Sequence, residues 1–428
     1  MRVLVTGAGG FIGSVLTKHL LNQNYSVIAL VHKNTDISFY HPQLRWCVGD
    51  VRDYDFLTSC MEGVNAVVHL AARKSDEQDS HAINVIGTKN VLDACSVVKV
   101  KKFIQFSTIS TKFLLKGLYA ETKKQADDML KNDHTPVVIL KPSVVYGDRN
   151  CGIFATIINL ARFSIIPVVG TGSFTVRPIY VQDVAIAVDK ILKEPYRGMY
   201  SVFDLGGPEL VTFNDLIRQI SKSIYNKRVF IFHIPMFVGK IMAQILELLF
   251  VSPPITRSNI VAMNQIAFID YELFLKTFNF QPRTVAQGLE ELKKNNELQL
   301  TEPCMMLRYI RGGGFVDQYY IELYKQATIF FNLDSYVLSP YVAKRHWCIG
   351  GLDAVTRLVH PNGVFQRKLL IASAVMECCP VTSDWLLPKK VTITQLLVQS
   401  TKLTIQSIGK IIIGIFILCI PSVYKNNI

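Results

Sequence analysis

The chain begins MRVLVTGAGGFIG, and this stretch constrains the fold more than any other part of the sequence. Arg2 to Thr6 is a short run of β-formers, and from Phe11 to Leu21 the apolar residues recur at helical spacing. Gly7, Gly10 and Gly13 therefore fall in a strand-to-helix turn. The first permits a tight turn, the second lets backbone approach an anion with no Cβ between them, and the third lets the helix lie close on the strand. The start of the helix, at Phe11 and Ile12, then offers free N–H groups to a pyrophosphate. Glycines serve many turns, but this spacing between a first strand and a first helix predicts a dinucleotide site.

Further along, β-like runs alternate with helical segments: RVLVTG, SVIALVH, RWCVGD, AVVHLAA, KFIQFST and PVVILKPSVVYG, each followed by enough chain for a crossover helix. Such alternation predicts an α/β fold, a Rossmann-type doubly wound parallel sheet. The expected organisation is a nucleotide domain over 1–147, completed by about 176–206, a smaller mixed α/β substrate lobe over 148–299, and a mainly helical C-terminal region with an apolar tail over 300–428. After YSVFDLGGPELVTFNDLIRQIS, which reads as a strand, a glycine turn and a helix capped near Thr212, residues 230 to 295 read as largely helical with a break at Pro253 and Pro254.

The chemistry resides in LYAETKKQADDML. Tyr119 and Lys123 stand four apart in a helical pattern and so share one face. A nearby ammonium favours a phenolate and brings a tyrosine toward the range where it exchanges a proton with a substrate hydroxyl or carbonyl. The same lysine is placed to hydrogen-bond a cofactor ribose. Alone, such a pair is as readily an exposed helical face. Following a dinucleotide turn and a strand ending in Ser107 and Thr108, it reads as catalytic.

Together these pieces resemble an extended or atypical short-chain dehydrogenase/reductase of the NAD-dependent epimerase/dehydratase family, over residues 1 to about 295. TGAGGFIG, GDVRD, VVHLAA, NVIGTKNVLDAC, YAETK, KPSVVYG and RPIYVQDVA occur in the family's order. The resemblance implies that Asp50 and Val51 contact adenine, that Ala71 and Ala72 line the cofactor, and that Pro142, Ser143 and Val144 border the nicotinamide. It further implies that Thr108 is the hydroxyl beside Tyr119, with Ser107 and Ser110 as alternatives. Two departures bear on specificity. Where NAD-preferring members carry an acid after the second strand, this chain has His32 and Lys33, cations that suit a 2′-phosphate and point to NADP, with NAD possible. Only eleven positions separate Thr108 from Tyr119, fewer than in typical sugar-nucleotide epimerases of the family, which leaves the substrate class open between sugar-like and lipid-like molecules.

Arg177 is a candidate for an anionic substrate group, or else the partner of Asp183. The formal charge of +13 comes without basic runs interleaved with aromatics, so no nucleic-acid partner is expected. Nine cysteines form no CxxC pair, and the first strand starts at once with no leader pattern; both suggest a cytoplasmic protein. No ligand spacing supports a metal among His346, His360, Cys378 and Cys379. The tail IIIGIFILCIPSVY, 411–424, is short for a span but apolar enough to predict attachment to a cytoplasmic membrane face, and an oligomer is possible. Two functions follow: a nicotinamide-dependent oxidoreductase or epimerase/dehydratase acting on a hydroxyl or keto carbon, or a non-catalytic nucleotide-binding accessory or assembly subunit of a membrane-associated complex.

Overall fold

A computed structural model of the chain describes residues 1–32, 41–74, 77–132, 134–147, 152–161, 163–194, 198–249, 265, 267–298, 301–311, 316, 318–331, 333, 349, 353 and 363–377. Lys33, the Pro253–Pro254 break, His346, His360, Cys378, Cys379 and the apolar tail lie outside them. The chain divides into two compact units; of the described residues, the first takes those up to Glu290 except His41, and the second takes His41 and those from Glu291 onward.

In the first unit, seven strands form one parallel sheet: β1 Arg2–Thr6, β2 Ser26–Val31, β3 Leu44–Val48, β4 Ala66–His69, β5 Lys102–Phe106, β6 Val137–Pro142 and, much later in the chain, a strand at Tyr200–Leu205. They lie in the order Tyr200–Leu205, β6, β5, β4, β1, β2, β3. The central strands are almost wholly buried, because helices cover both faces, and they accordingly read as continuous apolar runs. Leu4, Ile28, Val67, Phe103 and Ile139 anchor one side of this core. Helices α1 Phe11–Asn22, α2 Tyr54–Cys60, α3 Glu77–His81, α4 Thr88–Val97 and α5 Leu118–Met129 make the crossovers. Between α3 and α4 the turns widen into a π-helix over Ala82–Gly87.

Strand order reverses at β1, which has β2 on one side and β4 on the other. At the carboxyl ends of β1 and β4 the sheet opens a crevice, the usual place for a ligand in such folds. Thr6 pairs with His69 there, and Thr6 Oγ1 lies 2.7 Å from His69 Nδ1 while accepting from the N–H of Leu70 and Ala71. The other ring nitrogen of His69 is 3.1 Å from Thr88 Oγ1. Burial, together with the charge on Lys123, holds this imidazole down to about 3, so it is a neutral strut between β1, β4 and α4.

Outside the main sheet the first unit has short pieces: β7 Val145–Tyr146, α6 Gly152–Ala161, β8 Ile165–Val169, β9 Thr175–Val176, β10 Ile179–Tyr180, β12 Val211–Thr212, α8 Phe213–Tyr225, β13 Phe230–Ile234 and α9 Met236–Leu249; α7 Val181–Lys193 packs against α1, and β11, the strand at Tyr200–Leu205, is the edge of the main sheet. Thr212 caps α8 through the N–H of Asp215, as its position in the sequence predicts. Residues 230–234 are a correction to the helical reading: they form a strand that pairs in parallel with β8. Phe230 and Phe232 alternate with the buried Ile231, a period of two that Pro235 ends before α9 starts. Helices α10 Tyr271–Phe278 and α11 Val285–Leu298 follow.

The second unit contains α12 Glu302–Arg311, α13 Gln318–Phe330 and α14 Val364–Glu377, packed around Met306, Leu307, Ile321 and Ala372. Its core holds an ion pair, Lys368 Nζ to Glu302 Oε1 at 2.7 Å, which also accepts from the Tyr324 hydroxyl. Among the described residues no helix is long and apolar enough to cross a membrane.

Candidate active site

The opening turn has the geometry that its glycines predict. Gly7 sits at φ +65°, and its carbonyl accepts from the N–H of Gly10 at 3.0 Å. A Cβ on Gly7 would lie 2.8 Å from the Ala71 nitrogen, and one on Gly13 only 2.2 Å from the Gly7 oxygen. Close approach of β1, the exit of β4 and α1 therefore requires glycine at both positions. Gly10 caps α1 without any side-chain acceptor, so the first-turn N–H groups of Phe11, Ile12 and Gly13 are left to an anion.

The other predicted residues gather round this turn. Asp50 and Val51 follow β3; Asp50 is held by Arg52 in a fork, 3.0 Å from Nε and 2.7 Å from Nη2, and that guanidinium keeps its carboxyl below the ordinary range. Asn90 of α4 fastens the same loop by donating to the Arg52 carbonyl at 2.9 Å. His32 is exposed at the end of β2 and acts electrostatically on Asp50. Ala71 is half-buried against Gly7, and Ala72 is exposed just beyond. Pro142, Ser143 and Val144 leave the end of β6, where Ser143 donates to Leu205 and Val144 accepts from Ile179. A Cβ on Gly147 would meet the Phe11 ring at 3.4 Å, which brings this segment against the start of α1.

Tyr119 and Lys123 project from α5, as their spacing predicts. Lys123 is buried and its ammonium has no hydrogen-bond partner in the protein. Burial lowers it to about 8, with the Asp127 carboxylate pulling the other way. The expected effect on Tyr119 is reversed: burial, with Asp127, pushes the phenol up to about 12, and Lys123 is not among the causes. Desolvation of the phenol is the larger cause, and the Asp127 carboxylate adds to it. Lys74 stands over the Tyr119 ring, 5.6 Å from its centre.

The three hydroxyl candidates separate cleanly. Ser107 is buried and donates to Asp127 at 2.6 Å, a structural tie between β5 and α5. Thr108 is half-buried, and its hydroxyl is 2.9 Å from that of Ser110. Thr108 and Ser110 thus form a half-buried hydroxyl pair where the chain leaves β5. Arg177 does not meet Asp183: it donates to the Gly207 and Pro208 carbonyls and lies over Tyr271, while Asp183 takes the backbone N–H of Arg283 at 2.8 Å and its guanidinium.

Two residues that the sequence reading passes over are central. Asn84, fully buried in the π-turn, exchanges hydrogen bonds of 2.8 Å with both backbone groups of Arg73 and donates to Thr122 of α5 at 2.9 Å. It locks the β4 exit to the helix that carries Tyr119 and Lys123. Asp127, four residues after Lys123, collects Ser107 and Lys141 beneath that helix. Its spacing from Lys123 is the available signal; Asn84 opens the stretch NVIGTKNVLDAC, a polar residue among Ile83, Val85 and Ile86.

An unpartnered buried ammonium beside a glycine cradle fits a nicotinamide dinucleotide, whose ribose hydroxyls and pyrophosphate are the groups that such features bind. One consequence concerns pH. Below about 8, Lys123 is charged in both folded and unfolded protein and its burial cost is complete; from about 8 to the ordinary 10.5 the unfolded chain holds more protons, so stability rises with pH. In Lys123→Met without nucleotide that cost is removed. The variant is expected to be more stable than the parent at pH 7, on the order of 3 kcal/mol at most, with the gap closing toward pH 10. Denaturant midpoints across that range check it; a gap independent of pH would contradict it.

Comparison with known proteins agrees with this geometry. The NAD dependent epimerase/dehydratase family matches residues 3–206. An Escherichia coli O157:H7 protein, N-acetyl-alpha-D-glucosaminyl-diphospho-ditrans,octacis-undecaprenol 4-epimerase, is 26% identical over 58% of this chain and 80% of its own length. NADH dehydrogenase [ubiquinone] 1 alpha subcomplex subunit 9 of Arabidopsis thaliana is 25% identical over 50% of this chain and 55% of that protein. A crystal structure of UDP-glucuronic acid 4-epimerase from Bacillus cereus, with UDP-glucuronic acid and NAD, matches with a TM-score of 0.55 at 23% identity, over 69% of this chain and 98% of that one, a likeness of fold. Apart from Arg2, the sheet, the glycine turn and the Tyr119–Lys123 helix all lie within residues 3–206, the stretch that matches the NAD dependent epimerase/dehydratase family.

Proposed function

We propose that the protein is an oxidoreductase or epimerase that moves a hydride at a hydroxyl or keto carbon of a sugar carried on a lipid or nucleotide. The observation that carries the reading is Lys123: a buried ammonium without a partner, one helical turn from a phenol at the mouth of a dinucleotide crevice. The nicotinamide, when bound, supplies the hydride acceptor or donor. First-turn N–H groups of α1 and the bare backbone at Gly7 and Gly10 hold the pyrophosphate, and Gly13 keeps α1 close enough to do so. Asp50 and Val51 flank the adenine; Ala71, Ala72 and Pro142 to Val144 line the path to the active end. Lys123 takes the ribose hydroxyls, which gives its charge a partner.

Tyr119, protonated at neutral pH, donates its proton to a developing alkoxide when a carbonyl is reduced. Running the other way, the phenol must first give up its proton to solvent; the phenolate then accepts the proton of the substrate alcohol as hydride leaves the carbon. Thr108, with Ser110, hydrogen-bonds the same substrate oxygen where negative charge develops. NADP is the preferred cofactor in this reading because the end of β2 offers His32 and Lys33 and no acid. NAD in the related epimerase crystal supports the wider statement, a nicotinamide dinucleotide. The second reading is a non-catalytic nucleotide-binding subunit of a larger complex, the Arabidopsis relative being named as a subunit of one; Lys123 on a ribose would serve either role, and it is the phenol one turn away that a purely structural nucleotide site does not need.

The test is nicotinamide turnover by the full chain with a panel of undecaprenyl-diphospho-sugars, UDP-sugars and simple ketones, each with NADP and NAD. Turnover of a panel member is expected, with the larger kcat/KM for NADP. A preference for NAD would overturn only the reading of His32 and Lys33. Tight nucleotide binding with no conversion across the panel would favour the accessory role.

A further inference from the structure

One surface, formed by β8, β13 and α9, is apolar where a solvated face is ordinarily polar. Register places Phe230 beside Ile165 and Phe232 beside Pro167 on one side of the β8–β13 pair. Phe230 is 67% exposed and Ile165 58% exposed, so the outer side of this two-stranded sheet is open. Helix α9 packs on the far end of the pair through its small residues: Gly239 comes so near Val169 that a Cβ would sit 2.4 Å from its methyl carbon, and Ala243, one turn on, is buried. Its opposite side presents Phe237, Ile241 and Ile245, four residues apart each time, at 66%, 54% and 49% exposure. Truncating none of these would open the core, since Ile231, Ile234 and Ala243 do that work.

Charge identifies what such a face fits. From the start of α8 to the end of α9, Phe213 to Leu249, the chain has five lysines and arginines against two acids, Asp215 and Glu247. Lys222 and Arg228 are exposed just before Phe230, and Lys240 is exposed within the α9 row. Aromatic and aliphatic side chains framed by an excess of cations suit the headgroup boundary of an anionic bilayer, where apolar groups enter the acyl region and ammonium and guanidinium groups meet phosphate. A protein partner would more often be matched by mixed charge at the rim.

We propose that the face made by β8, β13 and α9 docks the enzyme on an anionic membrane surface. The contact is peripheral, independent of the apolar tail and of the reaction assigned above. Flotation of the full chain with vesicles of phosphatidylcholine alone, and of phosphatidylcholine mixed with phosphatidylglycerol, tests it. The parent protein is expected to float with the mixed vesicles and to lose that binding as salt rises. The triple variant Phe230→Ser, Phe237→Ser, Ile241→Ser is expected to partition at least ~10-fold more weakly, with an unchanged unfolding transition. Arg228→Glu with Lys240→Glu is expected to weaken binding to the mixed vesicles only. The proposal is overturned if the parent fails to float, or if the triple variant floats as the parent does, which would leave binding to another segment. It is equally overturned if the parent is an oligomer that the triple variant dissolves, which would make the face a contact between copies of this chain.

Discussion

Tyr119→Phe is expected to lower kcat by ~10²–10⁴-fold while leaving nucleotide affinity within a few-fold of the parent. The hydroxyl is the only group removed, and it stands on the first turn of α5 in a half-buried position above Lys123. Because burial and Asp127 hold the phenol up to about 12, it is the protonated form that waits in the site at neutral pH. Loss of the acid therefore leaves a developing alkoxide with Thr108 and Ser110 alone, hydroxyls that donate a hydrogen bond but cannot deliver the proton. Steady-state rates with a turned-over substrate and nucleotide titration of the same variant check both halves. Activity within twofold of the parent would remove Tyr119 from the chemistry; equal loss of binding would make it a structural residue.

The second large effect is expected at Gly13. A methyl group there meets the Gly7 oxygen at 2.2 Å and the Ala8 Cα at 2.8 Å, both backbone atoms that no rotamer change can move aside. Gly13→Ala must push α1 off β1, at a cost on the order of 1–3 kcal/mol, and it spoils the alignment of the first-turn N–H groups with the pyrophosphate. Nucleotide affinity is expected to fall by ~100-fold or more. Gly10→Ala is the informative contrast, since its Cβ would meet the Gly7 oxygen at 3.1 Å, a contact that a small shift relieves. Calorimetric titration of the two variants, beside their unfolding curves, checks the order. If Gly13→Ala binds nucleotide as the parent does, the turn is not the phosphate cradle.

Much of this arrangement is legible in the residues because its determinants are local. The central strands of the main sheet are almost wholly buried and so appear as apolar runs, and the glycine turn and the four-residue interval from Tyr119 to Lys123 need no knowledge of distant chain. What escapes depends on partners far away. Phe230–Ile234 is a strand only because Ile165–Val169, 65 positions earlier, accepts its edge; taken alone, the apolar run joins the helix after it. Asp183 meets Arg283 and not the nearer Arg177, a choice made by how α7 packs. The sign of the shift at Tyr119 depends on how much water the fold excludes, and spacing carries no information about that. Asn84 is a polar residue in a helix until the fold brings it to the Arg73 backbone and Thr122.

The most direct measurement is a crystal structure of the full chain with a nicotinamide dinucleotide bound. The pyrophosphate is predicted over the N-terminus of α1, with the Lys123 ammonium within hydrogen-bond distance of the nicotinamide ribose and the Tyr119 hydroxyl facing the open side of the ring. A nucleotide bound with its nicotinamide turned away from α5, or with Lys123 still lacking any partner, would contradict the assignment of this crevice to hydride chemistry.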